Sequence, residues 1–301
     1  MLRYYNQIVS SGVTYSIDKL IIKGSFNKMV SLETFPGEYM HVPFLYEFQQ
    51  LLFRNEDFCI SQHYDGSGWM KYKDSWKVDF GNDSVAYFAF GLNGYNGSDL
   101  TRWKIEFNPN KTLPNTLMDT LLFYCVSNSS SPYVSEFDIA VDVPAPREDF
   151  FLLKDNRKYQ LVMNSLSDKT EYLGNRHEMG YCKLYNKQME SNLDFPLTRF
   201  ELTVSVDNSD SVLSFSDVLR RVPEIYYFTS MQLTHDEMVL TGTDRILLEY
   251  ALQNPLVLSM FGKSARRKRD RLKDLMGCHM KRLEVNKEIL LRLYNWVMNY
   301  V

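Results

Sequence analysis

The segment Phe137-Asp-Ile-Ala-Val-Asp-Val143 alternates apolar and polar side chains, which predicts a β-strand buried on one face. Successive side chains of a strand point in opposite directions, so Asp138 and Asp142 fall together on the other face. Small Ala140 lies between them and leaves room for an approaching group. Carboxylates on a sheet face are candidate ligands for Mg²⁺ or Mn²⁺. A strand whose outer face simply meets water would have the same pattern.

Two later segments predict strands of the same kind. In Thr198-Arg-Phe-Glu-Leu-Thr-Val-Ser205, the apolar residues share one face, and Arg199 and Glu201 share the other. The segment 181–187 alternates in the same way and places four polar or aromatic side chains on one face: Tyr181, Lys183, Tyr185 and Lys187. A phenol has a pKa of about 10, so it needs nearby cations, a metal or a base to act as a nucleophile at neutral pH. The lysines supply such cations. A surface strand whose lysine side chains lie over aromatic rings would have the same sequence pattern.

The first half of the chain contains further short segments that are rich in aromatic or β-branched residues and are separated by turn residues. They predict strands over residues 15–23, 76–80, 85–90 and 103–107. Helices are predicted over residues 42–53 and over residues 116–126, where leucines recur at helical spacing after Pro114.

From about Ser214 onward the pattern turns helical, with Ser214 or Ser216 as candidate N-caps. An apolar stripe near the end is formed by Ile289, Leu293, Trp296 and Tyr300. The sequence therefore predicts an α+β fold in two parts. Residues 1–212 form a domain with a mostly antiparallel sheet that carries the candidate site on one face, and residues 213–301 form a helical, basic region.

The composition of the chain describes a globular protein with a sizeable core. Of its 301 residues, 45% are hydrophobic and 14% are aromatic. No apolar run approaches the roughly 20 residues that span a bilayer, and the first residues lack the pattern of a signal peptide. We therefore expect a cytoplasmic protein with no membrane partner. The four cysteines have no short paired spacing, which argues against a zinc knuckle or a disulfide framework and predicts buried thiols.

Charge is segregated along the chain. Residues 261–301 carry eleven basic and four acidic residues, a net charge of +7, whereas the rest of the chain carries −10. Within residues 263–273, seven side chains are basic and one is acidic. A helix with this spacing has cations around most of its circumference, which favours contact with phosphates over a solvated face. The predicted DNA contacts of this segment are Arg266, Arg267, Lys268, Arg269 and Arg271. Base reading in a major groove and a nonspecific phosphate clamp both remain open.

Four segments occur in a recognisable order. They are Phe137-Asp-Ile-Ala-Val-Asp142, Glu171-Tyr-Leu-Gly-Asn-Arg176, Lys183-Leu-Tyr-Asn-Lys-Gln-Met-Glu190 and Thr198-Arg-Phe-Glu201. Together they resemble the replication initiation factor family, the rolling-circle initiators of small Gram-positive plasmids and related relaxases of integrative conjugative elements. The resemblance covers about 70 residues in the middle of the chain. Lys183 stands where the family pattern has Arg, which keeps the charge but loses a bidentate phosphate clamp.

The resemblance implies a DNA nicking-closing enzyme in which Tyr185 is the nucleophile, with Tyr181 and Tyr172 as competitors. The metal ligands for Mg²⁺ or Mn²⁺ would be Asp138 and Glu201, with Asp142 less well matched. The histidines contain no His-hydrophobic-His pair, the metal motif of many other rolling-circle enzymes. Lys183 and Lys187 would belong to the catalytic site with Tyr185 and, like Arg176, would neutralise flanking phosphates. Arg176 and Arg199 are the DNA contacts expected on the sheet face.

The product of such an enzyme is a 5′-phosphotyrosine link and a free 3′-hydroxyl that a polymerase can extend. The implied partners are double-stranded origin DNA bound by the C-terminal region, a single-stranded nick site, a host superfamily 1 helicase and a second copy of the chain. A relaxase with the same chemistry is one alternative. A DNA-binding copy-number or transcription regulator without nicking activity is another, and Tyr185 beside an acidic pair argues against it.

Overall fold

The computed structural model describes most of the chain. The described residues are 7–27, 32–35, 38–40, 59–62, 72–81, 84–94, 97–112, 115–206, 214–230, 232–233, 235–240, 242–254, 257 and 266–300. The helix predicted over residues 42–53 lies outside these ranges. No helix within them is both long and apolar enough to cross a membrane.

The described ranges contain the following strands: β1 Gln7–Ser10, β2 Val13–Ser25, β3 Leu32–Phe35, β4 Glu38–Met40, β5 Cys59–Gln62, β6 Tyr72–Asp79, β7 Val85–Gly94, β8 Gly97–Phe107, β9 Tyr133–Val143, β10 Phe150–Leu152, β11 Tyr159–Met163, β12 Lys169–Leu173, β13 Cys182–Asn186, β14 Thr198–Ser205, β15 Ile225–Phe228 and β16 Met280–Arg282. The α-helices bounded within the described ranges are α1 Pro109–Thr112, α2 Thr116–Ser127, α3 Lys187–Ser191, α4 Phe215–Arg221, α5 His235–Met238, α6 Thr243–Gln253, α7 Arg266–Leu275 and α8 Lys287–Met298.

One large antiparallel sheet organises the molecule. Its strands follow the order β11-β12-β13-β14-β9-β2-β8-β7-β6-β5. β1 pairs with the first residues of β2, on the side opposite β9, and so lies end to end with β8. This sheet and the helices around it confirm the predicted α+β class.

The three strands with predicted polar faces are direct neighbours at the centre of this sheet. Tyr185 of β13 pairs with Arg199 of β14, which pairs with Asp142 of β9. One step along, Lys183 pairs with Glu201 in the same way. Paired residues of antiparallel strands point to the same side of a sheet, so the three polar faces form one continuous surface.

The opposite face of the sheet is covered by α2 and α8. Apolar residues of β9, including Phe137 and Ile139, lie in one buried cluster with Leu121 of α2 and Leu293 of α8. Asn115 caps α2 and Asn286 caps α8, and each accepts hydrogen bonds from backbone N–H groups of the first turn. Burial of one face therefore fixes which side chains of each strand are left for the other face.

The predicted strands over residues 15–23, 76–80, 85–90 and 103–107 are confirmed within β2, β6, β7 and β8. The helix predicted over residues 116–126 is confirmed as α2. Ser214, one of the two candidate N-caps, caps α4 in a capping box with Asp217.

The C-terminal third contains strands that the helical pattern does not predict. β15 pairs with β10 on one side and with β16 on the other, in a separate three-stranded sheet. This sheet joins residues before and after the predicted domain boundary at 212/213, and α8 packs on the large sheet. Strands of three or four residues are too short to produce a clear alternation. The boundary remains a prediction, and the described contacts cross it.

The cysteine prediction holds for two of the thiols. Cys125 and Cys182 are buried, as expected for small apolar side chains, whereas Cys278 is exposed. The prediction was therefore wrong for Cys278, because the chain places it in the turn between α7 and β16 rather than inside an element.

Candidate functional site

Tyr185 and Glu201 form the centre of the polar sheet face. The Tyr185 hydroxyl donates a hydrogen bond of 2.6 Å to Glu201 Oε1. Burial raises the pKa of Glu201 to about 7, although the Lys183 ammonium opposes this shift. Burial also raises the pKa of the Tyr185 hydroxyl, and the adjacent Glu201 carboxylate adds to the effect. A hydroxyl paired with a carboxylate that titrates near neutral pH is the arrangement of a nucleophile and its base.

Two lysines surround the aromatic ring of Tyr185. The Lys183 ammonium lies 3.6 Å from the ring centroid, and the Lys187 ammonium lies 5.9 Å from it. Asn186 ends the strand and caps α3 by accepting a hydrogen bond from the Met189 N–H, so Lys187 is the first residue of a helix rather than part of the strand. Lys187 nevertheless stays beside the tyrosine and forms an ion pair with Glu190. The two lysines assigned to this site from sequence are thus brought together with Tyr185.

Arg199 and Asp142 are paired with each other. The Arg199 guanidinium donates to both oxygens of Asp142, at 2.6 and 2.7 Å, and also lies 2.8 Å from Asp18 Oδ1. Both groups are largely shielded from solvent. A bidentate pair of this kind occupies the carboxylate and the guanidinium at once. The geometry therefore disfavours Asp142 as a metal ligand and Arg199 as a phosphate contact, in contrast to the sequence-based expectation.

A β-bulge in β2 adds two side chains to the site. The pairing of β2 with β9 shifts between Ile17 and Lys19, so Asp18 and Lys19 stand opposite the single residue Asp138. Asp18 contacts Arg199, and Lys19 Nζ lies 3.4 Å from Asp138 Oδ2. Neither residue was predicted from the sequence as part of the site. Two consecutive polar residues between apolar ones in a strand were the available signal of a bulge.

Asp138 lies beside a second acid that was also missed. Lys19 Nζ bridges Asp138 to Glu136 Oε1, at 2.5 Å from the latter. Burial raises the pKa of Asp138, against the lowering effect of Lys19. The Asp138 Oδ1 atom is shielded from solvent, and no hydrogen bond reaches it within the described residues. A buried carboxylate oxygen without a donor is suited to a hard divalent cation, so Asp138 offers a ligand atom of the kind that Mg²⁺ or Mn²⁺ prefers.

A trough of about 1230 Å³ runs across this face of the sheet. Its lining includes Glu201, which accepts from the Tyr185 hydroxyl, and Lys183, which lies over the Tyr185 ring. Tyr185 itself is 4% exposed and lies behind these two residues, outside the lining. Its walls carry seven lysines and arginines against four acids, although the whole chain has a net charge of −3. The basic side chains of its lining are Lys19, Lys23, Arg102, Lys104, Lys158, Arg176 and Lys183. A positively lined groove attracts and concentrates a polyanion.

Tyr172 and Tyr181 stack against each other in this trough. Their ring centroids are 6.1 Å apart and their planes differ by 18°. Burial and the neighbouring Tyr172 raise the pKa of Tyr181 to about 12. Neither hydroxyl is hydrogen-bonded to a carboxylate in the described part of the chain, unlike that of Tyr185. The pair instead offers an aromatic surface of the type on which bases stack.

Arg176 reaches the trough from a loop that glycine begins. Gly174 follows β12 with φ at +94°, a conformation that side chains rarely adopt. The turn brings exposed Arg176 and His177 to the wall of the trough. In the segment Glu171-Tyr-Leu-Gly-Asn-Arg176, the glycine therefore allows the turn that places the arginine at the trough. Glu171 itself is buried in an ion pair with Arg147 at 2.7 Å and points away from the trough.

The basic helix α7 presents fewer free cations than its sequence predicts. Arg267 and Lys268 are exposed. Arg269 contacts Asp270, and Arg271 forms an ion pair with Asp244. The side chain of Arg266 lies outside the described part of the structure. Leu272 and Met276 are buried in a second core cluster, so one side of the helix is a packing face rather than a DNA contact.

The chain is therefore an α+β protein whose candidate site lies on one face of a mostly antiparallel sheet. No family model and no curated protein matches it. Among solved structures, it is similar to a rolling circle replication initiator protein from Geobacillus stearothermophilus, with a TM-score of 0.38 and 15% sequence identity. The match covers 80% of this chain and 97% of that chain. The similarity is low in both sequence and structure.

Proposed function

We propose that the protein is a metal-assisted DNA-nicking enzyme that initiates rolling-circle replication, with Tyr185 as its nucleophile. The observation that carries the proposal is the 2.6 Å hydrogen bond from the Tyr185 hydroxyl to Glu201, a carboxylate whose pKa is raised to about 7. The order of the four sequence segments supports the same reading. A relaxase of an integrative element would use the same chemistry on a different replicon.

The chemistry begins with a single strand in the trough. Tyr185 Oη attacks the scissile phosphorus while its proton passes to Glu201 Oε1, which already accepts it as a hydrogen bond. The bond from phosphorus to the 3′ oxygen breaks, and that oxygen takes a proton from solvent, which leaves a 5′-phosphotyrosine link and a 3′-hydroxyl. The Lys183 ammonium, 3.6 Å from the ring, stabilises negative charge on the phenolate as it forms.

Asp138 and Glu201 would hold the divalent cation. When bound, Mg²⁺ or Mn²⁺ polarises the scissile phosphate and offsets the charge that develops on its oxygens. Glu201 can serve both groups because a carboxylate has two oxygens, of which Oε1 accepts from Tyr185. Lys19 bridges Asp138 and Glu136 on the sheet face, and its ammonium opposes the rise in the pKa of Asp138 that burial causes.

The remaining groups of the trough bind and orient the DNA strand. Arg176 and Lys158 are exposed on its wall and are free to neutralise flanking phosphates. The stacked pair of Tyr172 and Tyr181 would hold an unpaired base next to the reacting phosphate. The three tyrosines named by the sequence would thus have two different roles, one as the nucleophile and two as a stacking surface.

The test is formation of a covalent protein–DNA adduct. The full chain is incubated with Mn²⁺ and a supercoiled plasmid that carries the DNA flanking its own coding sequence, and then denatured and electrophoresed. We expect a nicked plasmid and a protein band that retains DNA after denaturation, with both lost in a chelator. Binding of the plasmid with neither nicking nor a covalent band would instead support a non-catalytic DNA-binding regulator.

Recognition of duplex DNA is proposed for the exposed cations of α7. Replacing Arg267 and Lys268 with Ala should weaken duplex binding and reduce the slope of log affinity against log salt by about 1.8, because each lost phosphate contact removes about 0.9. Cleavage of a single-stranded oligonucleotide should change far less, since these residues lie apart from the trough. Affinities at several salt concentrations and single-strand cleavage rates measure the two effects.

The matched control for this prediction is Arg245→Ala on α6, which removes an exposed cation paired with Glu249. It should leave the salt slope unchanged. Equal losses of duplex binding and single-strand cleavage in the α7 variant would show that this helix supports the fold or the active site instead.

A further inference from the structure

A second group of polar side chains lies in the C-terminal region, away from the trough. Glu237 of α5, Cys278 and His279 bring one ligand atom each to the same point, and these atoms all lie within 4.8 Å of one another. His279 is fully buried and Glu237 is nearly so, whereas Cys278 is exposed. Forty residues of chain separate Glu237 from the other two, so the fold alone assembles the group.

The histidine is oriented for metal binding. Its Nδ1 lies 3.2 Å from the backbone oxygen of Ser230, which can only accept a hydrogen bond, so Nδ1 carries the proton. The Nε2 atom shares a proton with Glu237, whose two oxygens are 2.8 and 2.7 Å away. A metal ion that displaces this proton would meet the Nε2 lone pair at the same point. A carbonyl that holds Nδ1–H and frees Nε2 is the usual support of a metal-binding histidine.

The thiol faces the same carboxylate. Cys278 Sγ lies 2.8 Å from Glu237 Oε1, so the sulfur, the imidazole nitrogen and the carboxylate oxygen meet around one small volume. The thiol donates this hydrogen bond to the carboxylate, and after loss of its proton it offers a lone pair to the same point as the other two groups. A cation bound at this point would replace the shared protons and be coordinated by all three atoms.

We propose that Glu237, Cys278 and His279 bind a Zn²⁺ ion, with water in the fourth position. One nitrogen, one sulfur and one carboxylate oxygen form a donor set that Zn²⁺ takes and that Mg²⁺ does not favour. Zinc bond lengths of about 2.0–2.3 Å place tetrahedral ligand atoms roughly 3.3–3.8 Å apart, so the side chains need to separate by less than about 1 Å. The exposure of Cys278 gives the ion a path from solvent.

The ion would fix the position of the basic helix. Cys278 and His279 lie in the turn that joins α7 to β16, and Glu237 belongs to a different element, α5. Backbone hydrogen bonds already hold this turn against Thr229, whose N–H donates to the His279 oxygen at 2.8 Å. A metal bridge between the turn and α5 adds a second tie at the end of the helix that carries Arg267 and Lys268.

Cobalt substitution tests the proposal on the full chain. After treatment with chelator and dialysis, titration with Co²⁺ should give visible bands of a tetrahedral site and a near-ultraviolet band from thiolate-to-cobalt charge transfer, saturating at about one equivalent. Zn²⁺ should displace the cobalt and raise the thermal midpoint by several degrees, because it binds the folded chain. The measurement is independent of any nicking activity.

Cys278→Ser is the decisive variant, because this exposed side chain can be changed without disturbing the core. It should lose the charge-transfer band and the zinc-dependent rise in thermal midpoint, as should His279→Gln if that variant folds. Two controls should bind like the wild type: His177→Gln, which removes an exposed histidine, and the double variant Asp138→Asn with Glu201→Gln, which removes the acids of the trough.

Two results would overturn the proposal. One is the absence of a thiolate-to-cobalt band in the wild type, which would leave the group as a buried imidazolium–carboxylate pair with a neighbouring thiol. The other is a Cys278→Ser variant that binds Co²⁺ with the wild-type spectrum and affinity.

Discussion

Tyr185→Phe should abolish both nicking and the covalent protein–DNA adduct, while DNA binding stays within a few fold of the wild type. The substitution removes only the hydroxyl that donates to Glu201 and keeps the ring beneath the Lys183 ammonium. Without that oxygen, no bond to phosphorus can form at this position. The measurement is the denaturation-resistant protein–DNA band, together with plasmid affinity by gel shift.

Comparison with the other tyrosines makes the assignment of the nucleophile specific. Tyr181→Phe and Tyr172→Phe should still form the adduct, because neither hydroxyl has a base hydrogen-bonded to it in the described structure. Tyr250→Phe on α6, a half-exposed residue away from the sheet face, should behave like the wild type. A covalent band that persists in Tyr185→Phe and disappears in Tyr181→Phe would assign the chemistry to Tyr181.

The second large effect concerns Glu201 and pH. A general base acts in its ionised form, and burial raises the pKa of Glu201 to about 7. A bound cation lowers the pKa of a carboxylate that coordinates it, so with Mn²⁺ present the acid limb should lie below pH 7. On that limb the wild-type cleavage rate should fall about tenfold for each pH unit, and it should level off at higher pH. Glu201→Gln should lower the plateau rate by about 10²–10⁴-fold and remove this acid limb, because an amide takes no proton. Single-turnover rates between pH 5 and 9 at fixed Mn²⁺ concentration measure both changes.

A lysine substitution checks the origin of this pKa. The Lys183 ammonium lowers the pKa of Glu201, so Lys183→Met should move the acid limb to higher pH. The exposed acid Glu249 serves as the control, and Glu249→Gln should keep the wild-type profile. An unchanged acid limb in Glu201→Gln would mean that another group sets the pH dependence and that Glu201 acts only by position or by binding metal.

Part of the fold and of the candidate site could be predicted from local sequence. The alternation in residues 137–143 and 198–205 identified both the buried face and the polar face of β9 and β14, because the two-residue period of a strand is a local property. The same rule put Lys183 and Tyr185 together on β13. The α+β class and helix α2 followed from periodicity and capping in the same way.

Contacts between distant segments could not be predicted in this way. The bulge residues Asp18 and Lys19 join the site only because β2 pairs with β9, more than 100 residues away. Similarly, the pairing of Arg199 with Asp142 occupies two side chains that the sequence offered as phosphate and metal contacts. A charge pattern gives the number of ionic groups, but not which of them are already paired.

The sequence by itself determined the class of fold, the polar face of the sheet and the types of side chain on that face. Each of these depends on the spacing of residues within single strands or helices. The tertiary structure alone decided which acid accepts from Tyr185, which cations of α7 stay exposed, and that Glu237 meets Cys278 and His279. These outcomes depend on strand register and on packing between elements far apart in the chain. Such contacts are selected by the burial of the whole core, and no short segment encodes them.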